Sequence, residues 1–299
     1  MLNIIPKETN VPFIKLHKFG YIFSTIIVIV SVFFFLFRGL NYGIDFKGGT
    51  LVEIGTESGV KIEELRLITG NLSLGDVQIQ KFGTENNFLI RIEEQMGGES
   101  SQQESIKILK DALTKQIVGN IQYRRVEVVG PKVSSELIQK GTMAVIIAVM
   151  TMLIYIWVRF EWQFSLGAVL ALIHDVLISI GVFSLVQIEF NLSIIAALLT
   201  IVGYSMNDTV VVYDRVRENL RKFKKIEMSE LLNLSINNTL SRTIMTSMTT
   251  LLALFCLYFL GGEIIKGFAL AMILGVVVGT YSSIFIAAPL LLVFKLTRE

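Results

Sequence analysis

Six long apolar runs decide what this chain can fold into. They lie near Gly20–Phe37, Thr142–Val158, Phe164–Val186, Leu192–Val212, Ile244–Leu260 and Ile264–Phe294. Each has about the length that a helix rising 1.5 Å per residue needs to cross a ~30 Å hydrocarbon core. With 53% hydrophobic and 17% charged residues among 299, and a mean hydropathy of +0.63, the chain is too apolar for a soluble domain. The last run is overlong, so its helix is expected to end near Ala287, with Pro289 kinking or breaking the remainder. The first is too long for a signal-peptide core, is followed by Arg38 and lacks a small-residue cleavage site. It reads as an uncleaved signal-anchor helix.

Flanking charge gives the orientation. Lys7, Lys15 and Lys18 precede the first run against one acid, Glu8. Arg215, Arg217, Arg221, Lys222, Lys224, Lys225 and Arg242 fill the interval between the fourth and fifth runs, read here as a basic loop. The loops around Gln187–Asn191 and Gly261–Glu263 contain neither Lys nor Arg, and Lys295 and Arg298 end the chain. Positive residues stay inside, so both termini and the basic loop are expected in the cytoplasm. The expected order is a cytoplasmic N-terminus (1–19), one transmembrane helix (20–38), an external domain (39–140), five transmembrane helices (141–294) and a short cytoplasmic tail (295–299). The basic stretch Arg217, Arg221, Lys224 and Lys225 is explained by orientation and by contact with anionic lipid headgroups.

The external segment has the pattern of an α+β domain. Alternation in Val77-Gln78-Ile79-Gln80 and Leu89-Ile90-Arg91-Ile92 marks strands. Strands are expected at Thr50–Gly55, Asp76–Phe82, Asn87–Glu93 and Ile121–Val129, with Gly83–Asn86 as a turn. Helices are expected at Lys61–Thr69 and Gln102–Val118. The order βαββαβ is the ferredoxin-like pattern. The Gly/Ser-rich stretch from Gln95 to Gln103 reads as a mobile loop.

Composition excludes several chemistries. A net charge of +2 with a pI near 8.5 does not suggest a nucleic-acid partner. Cys256 is the single cysteine, and His17 and His174 stand far apart, so no metal-ligand cluster, and no metal or other cofactor, is expected. Gly43, Gly48 and Gly49 in "GIDFKGGT" lack the spacing of a phosphate loop and read as a tight turn feeding the first strand. Asp45 and Lys47 there are structural before they are substrate contacts. Gly275 and Gly279 permit close helix packing, either within the chain or with a partner.

Asp208 is the informative residue, because a carboxylate inside a membrane span costs roughly 2.5–3.5 kcal/mol and faces protein or water by default. It lies about 24 Å along the helix from Leu192. Tyr204, Ser205, Val211 and Val212 share its face. It could instead cap or snorkel at a helix end, but Val210–Val212 continue the apolar run beyond it. Arg242 lies about 27 Å from Leu260, a matching depth, so an ion pair across the two helices is sterically reasonable. Its other reading is a topogenic charge among many. Burial favours the neutral form of an acid and a guanidinium favours the charged form, so an environment alternating between them takes up and releases a proton. His174 and Asp175 sit mid-helix in the third run. As neighbours they point about 100° apart, and relay and polar-glue roles stand side by side. Asn207 reads as an interhelical hydrogen-bond donor.

Five motifs recur in order: "GIDFKGGT" (Gly43–Thr50), "GPKVSSEL" (Gly130–Leu137), "ALIHDVLI" (Ala171–Ile178), "YSMNDTVVVYDRVREN" (Tyr204–Asn219) and "SRTIMTSMTT" (Ser241–Thr250). Together they resemble the SecF family of bacterial protein-export membrane proteins, related to the resistance-nodulation-division (RND) transporters. The resemblance covers essentially the whole chain. It implies a non-enzymatic auxiliary of secretion in the plasma membrane, driven by the proton-motive force, that engages a translocating polypeptide. It implies SecD as main partner, with the SecYEG channel and YajC as associates. In that family the residues matching Asp208 and Arg242 are implicated in proton conduction, and the "ALIHDVLI" motif carries His174 and Asp175. An RND-type small-molecule or lipid exporter is the alternative, although about a hundred external residues leave little room for a drug cleft. An intramembrane aspartyl protease built on Asp175 and Asp208 lacks the expected glycines before Asp208 and the tyrosine before Asp175. A pure assembly scaffold would make Asp208→Asn silent.

Overall fold

The computed structural model describes residues 9–57, 60–95, 97–117 and 119–296. Lys7, Glu8 and Arg298 lie outside the described residues. In chain order the elements are α1 (His17–Arg38), β1 (Asn41–Tyr42), the helical turn α2 (Ile44–Lys47), β2 (Gly49–Gly55), α3 (Ile62–Gly70), β3 (Val77–Lys81), β4 (Asn87–Ile92), α4 (Glu99–Gln116) and β5 (Gln122–Val129). Next come α5 (Pro131–Arg159), α6 (Trp162–Val186), β6 (Glu189–Phe190), α7 (Leu192–Lys222), α8 (Met228–Leu260), α9 (Glu263–Ser282), a π-helical turn (Ser283–Ala287) and α10 (Ala288–Val293). Two compact units emerge: a helical one (Met1–Asn41, Val145–Ile188, Ser193–Glu299) and an α+β one (Tyr42–Ala144 with Glu189–Leu192).

The α+β unit is a four-stranded antiparallel sheet in the order β3-β4-β2-β5. Period-2 side chains make one face continuously apolar. Val52 lies opposite Ile90 on one side and Val126 on the other. Against that face pack Leu65 and Ile68 of α3 and Leu109 and Leu113 of α4. Each such fully buried side chain stabilises the unit by about 1.5–3 kcal/mol. The opposite face is closed at one end by Ile44 of α2 on Leu51 and Leu89. The two glycines after α2 have φ of +70° and +108° (Gly48 and Gly49), a left-handed region that disfavours a side chain. A Cβ on Gly49 would overlap the Ile92 carbonyl. The Glu189–Leu192 tetrapeptide is held within this unit. Arg91 forms an ion pair with Glu189 at 3.0 Å and donates to the Tyr42 carbonyl at 3.0 Å, while the Leu192 amide donates to Asp45 at 2.9 Å. Asp45 thus satisfies a free amide at the start of α7.

Among the described residues, six helices are long and apolar enough to cross a membrane. The outward surfaces of α1, α5 and α8 carry large exposed apolar residues, among them Phe37, Val158 and Leu260. Small residues set the closest approaches. A Cβ on Gly181 of α6 would overlap Ser31 of α1, and one on Gly275 of α9 would overlap Ile201 of α7. Gly275 and Gly279 therefore serve packing within the chain. Where α1 ends, Ser184 donates to the Gly39 carbonyl at 2.8 Å and Arg38 to the Leu185 carbonyl at 3.0 Å.

Several element boundaries correct the sequence reading. Most of the basic interval is helix: Arg215 to Lys222 continue α7, because Arg, Glu, Leu and Lys form helices well once hydropathy ends, and Lys224 and Lys225 lie in the short connection 223–227. Helix α8 begins at Met228, sixteen residues before the apolar run. Its first turns are amphipathic, burying Leu231, Leu232, Ile236 and Leu240. Asn237 there accepts from the Val11 amide and donates to the Val11 carbonyl, each at 2.9 Å, so polar anchors replace apolar density. Helix α5 begins at Pro131, a residue well suited to a first helical position, rather than at 141. Helix α4 begins at Glu99, so the latter part of the expected Gln95–Gln103 loop is helical. Around Pro289 the last span passes through the π turn Ser283–Ala287, the adjustment that a missing amide invites.

Candidate intramembrane relay site

Helix α7 presents Asp208 to the bundle because residues 201, 205, 208, 212 and 216 recur every three to four positions and are all buried. Asp208 is only 3% exposed, and its Oδ2 has no hydrogen-bond partner. Arg242 is carried mid-way along α8, not at its entry, and its side chain is exposed. The guanidinium is close enough to act electrostatically on the Asp208 carboxylate. It does not close an ion pair with it: none of the pairs within 4.0 Å among the described residues joins the two. The arrangement is an acid with one oxygen unbonded and a cation near but not docked. Thr243, next to Arg242, also has a buried hydroxyl without a partner.

Asn207 is exposed and makes no side-chain hydrogen bond to a neighbouring helix among the described residues, since a step of one residue turns it about 100° from Asp208.

The second-rank pair is placed differently from the sequence argument. His174 and Asp175 do meet: Nδ1 of His174 lies 2.8 Å from Oδ1 of Asp175. The other Asp175 oxygen accepts from Ser282 of α9 at 2.8 Å and from Ser205 of α7. Asp175 is fully buried. The His174 ring stacks on Tyr281 at 6.2 Å with 28° between planes, and its Nε2 is buried without a partner. Tyr281 donates to the Gly20 carbonyl at 3.0 Å and lies 3.0 Å from Ser24, both on α1. Asp175 is thus the node joining α6, α7 and α9, a role that the 100° argument missed because rotamers bend neighbouring side chains toward each other. Ser282 and Tyr281 escaped the sequence reading altogether. The signal was the run Thr280-Tyr281-Ser282-Ser283, four hydroxyl residues inside an apolar span. A second bridge runs from Tyr204 through Ser247 at 3.5 Å to Thr280 at 2.7 Å. No cluster of three or more His, Cys, Asp or Glu side chains fit to hold a metal occurs among the described residues.

Comparison with known proteins agrees with this arrangement of elements. Residues 109–297 match the family model described as protein export membrane protein SecD/SecF, C-terminal, and residues 33–60 match the SecD/SecF GG motif. The protein translocase subunit SecF of Rickettsia bellii is 44% identical over 98% of this chain and 96% of its own length. That of Rickettsia rickettsii is 43% identical over 98% and 94%. The crystal structure of SecDF, a translocon-associated membrane protein from Thermus thermophilus, superimposes with a TM-score of 0.87 at 34% identity over 98% of this chain. A SecDF structure in a super-membrane-facing form gives 0.71 at 35% identity over 99%. This chain spans 40% of each of those SecDF chains. Six helices among the described residues that are able to cross a bilayer, in a chain matched along nearly its whole sequence to translocase subunits, make it a multi-pass membrane protein that belongs to the SecD/SecF protein-export family.

Proposed function

We propose that this chain is the SecF subunit of a SecD–SecF assembly in the bacterial plasma membrane. It uses the proton-motive force to assist late stages of Sec-dependent protein translocation. The α+β unit, of ferredoxin-like strand order, faces the extracytoplasmic side and engages the emerging polypeptide. Both termini and the basic end of α7 are cytoplasmic, in keeping with the positive-inside rule. SecD supplies the complementary half, as the greater length of the matched SecDF chains suggests. SecYEG, YajC and anionic lipids complete the surroundings.

Asp208 and Arg242 form the proton relay. The observation that carries this reading is the buried Asp208 oxygen left without a partner while a guanidinium stands near it, undocked. Such an oxygen is a landing place for a proton, and a nearby cation that can approach or withdraw changes how tightly the proton is held. One proton crossing the membrane supplies about 2.3 kcal/mol per 100 mV. That biases a conformational equilibrium by a little under two orders of magnitude.

Asp208→Asn keeps the shape and removes the titration. In proteoliposomes holding the co-purified complex, the translocon and a secretory precursor, it is expected to abolish the gradient-dependent part of export while assembly stays intact. Export by the variant at the parental rate under an imposed gradient refutes the relay.

A further inference from the structure

We propose that Asp175 is a positioning residue for Asp208, acting through Ser205. The inference rests on the relay reading of Asp208 and adds to it the group that sets the rotation of α7. Ser205 precedes Asp208 by three residues and lies on the same helical face, so whatever fixes one fixes the direction of the other. Ser205 donates to Asp175, which is fully buried and held from two further sides, by His174 and by Ser282. The anchor is therefore stiff. Its other contact is equally confining: a Cβ on Gly279 of α9 would lie 2.9 Å from the Ser205 Cβ. Helix α7 is thus pinned at Ser205 by a hydrogen bond on one side and by backbone contact on the other. Less than one turn beyond the pin, Asp208 holds an oxygen with no partner.

A small rotation of α7 about this pin carries Asp208 toward or away from Arg242. The titratable and charged groups around Asp208 are Arg242 on α8 and, through Ser205, the Asp175–His174 pair of α6, whose imidazole lies on Tyr281 of α9. Asp175 touches neither Asp208 nor Arg242 in the interactions described, and acts only by holding the helix.

The test reads Asp208 itself. Infrared titration of the full chain with its co-purified partners in lipid follows the Asp208 carboxyl band, identified by its loss in Asp208→Asn. Ser205→Ala removes one oxygen and cuts the link. The expected result is a shift in the Asp208 midpoint of about one pH unit, a tenfold change in proton affinity. Asp175→Asn is expected to shift it similarly, and the double variant no further than either single one. Ser282→Ala takes one of the contacts that hold Asp175 but leaves the Ser205 bond in place, and is expected to shift the midpoint by clearly less than Ser205→Ala does.

An unmoved midpoint in Ser205→Ala overturns the proposal, as do equal shifts in Ser205→Ala and Ser282→Ala, the signature of undirected helix glue. The relay stands or falls separately. Gradient-driven export by Asp208→Asn sinks the relay whatever the infrared midpoints do, and a silent Ser205→Ala sinks the positioning role even when Asp208→Asn is dead.

Discussion

Replacing Gly279 by alanine tests whether the α7–α9 approach sets the site. The added methyl would lie 2.9 Å from Cβ and 3.1 Å from Cα of Ser205. Ordinary carbon contacts are about 3.5–4.0 Å. The helices must therefore part by several tenths of an ångström, and the obstacle includes backbone, which cannot rotate aside. Overpacking of this kind costs about 1–3 kcal/mol. Against it stands the helix propensity gained on leaving glycine, up to about 1 kcal/mol. The net expectation is a loss of about 1–2 kcal/mol. Gly203, on α7 itself, is the matched control. Only the far end of Met152 lies within reach of a Cβ there, at 3.7 Å, so Gly203→Ala is neutral or mildly stabilising. Thermal unfolding of the purified chain in lipid nanodiscs measures both. At about 2–4 °C per kcal/mol, Gly279→Ala should melt about 2–8 °C below the parent and Gly203→Ala at or above it. Equal melting points for the two variants would show that the helices have slack at Ser205, and the steric half of the pin would be lost.

Two further outcomes concern the α+β unit. Leu109→Ala, at a fully buried position beneath the sheet, should destabilise that unit by about 2–5 kcal/mol, read as earlier loss of amide-exchange protection in β2 and β4 than in the membrane helices. Arg91→Met keeps the aliphatic stem but strands Glu189 and the Tyr42 carbonyl; a cost of about 2–3 kcal/mol and local exposure of residues 189–192 to exchange are expected, and unchanged protection there would remove Arg91 from the role of clamp.

Sequence reading and structure part company at particular residues, each for a physical reason. Hydropathy locates α6 almost to the residue, because every turn of it is apolar. It truncates α8 at Ile244 because Asn233 and Asn237, which bond to the backbone of residues 11 and 14, count as polar wherever they point. The strands of the α+β unit are legible from alternation, since a sheet with one covered face must alternate. Asp208 is legible because a charge in an apolar run is costly and must have a reason.

The sequence alone, then, determined the number of helices apolar enough to span a bilayer, the place of the α+β segment between the first two and the one carboxylate deep in the fourth apolar run. Those arise from local terms: transfer free energy per residue and periodicity along the chain. Only the tertiary structure decided that Arg242 is near Asp208 without docking, that Asn207 faces away, and that Asp175 gathers Ser205 and Ser282 from two other helices. Those depend on helix rotation and on where glycines let backbones touch. A rotation of one residue changes direction by about 100° while leaving hydropathy untouched.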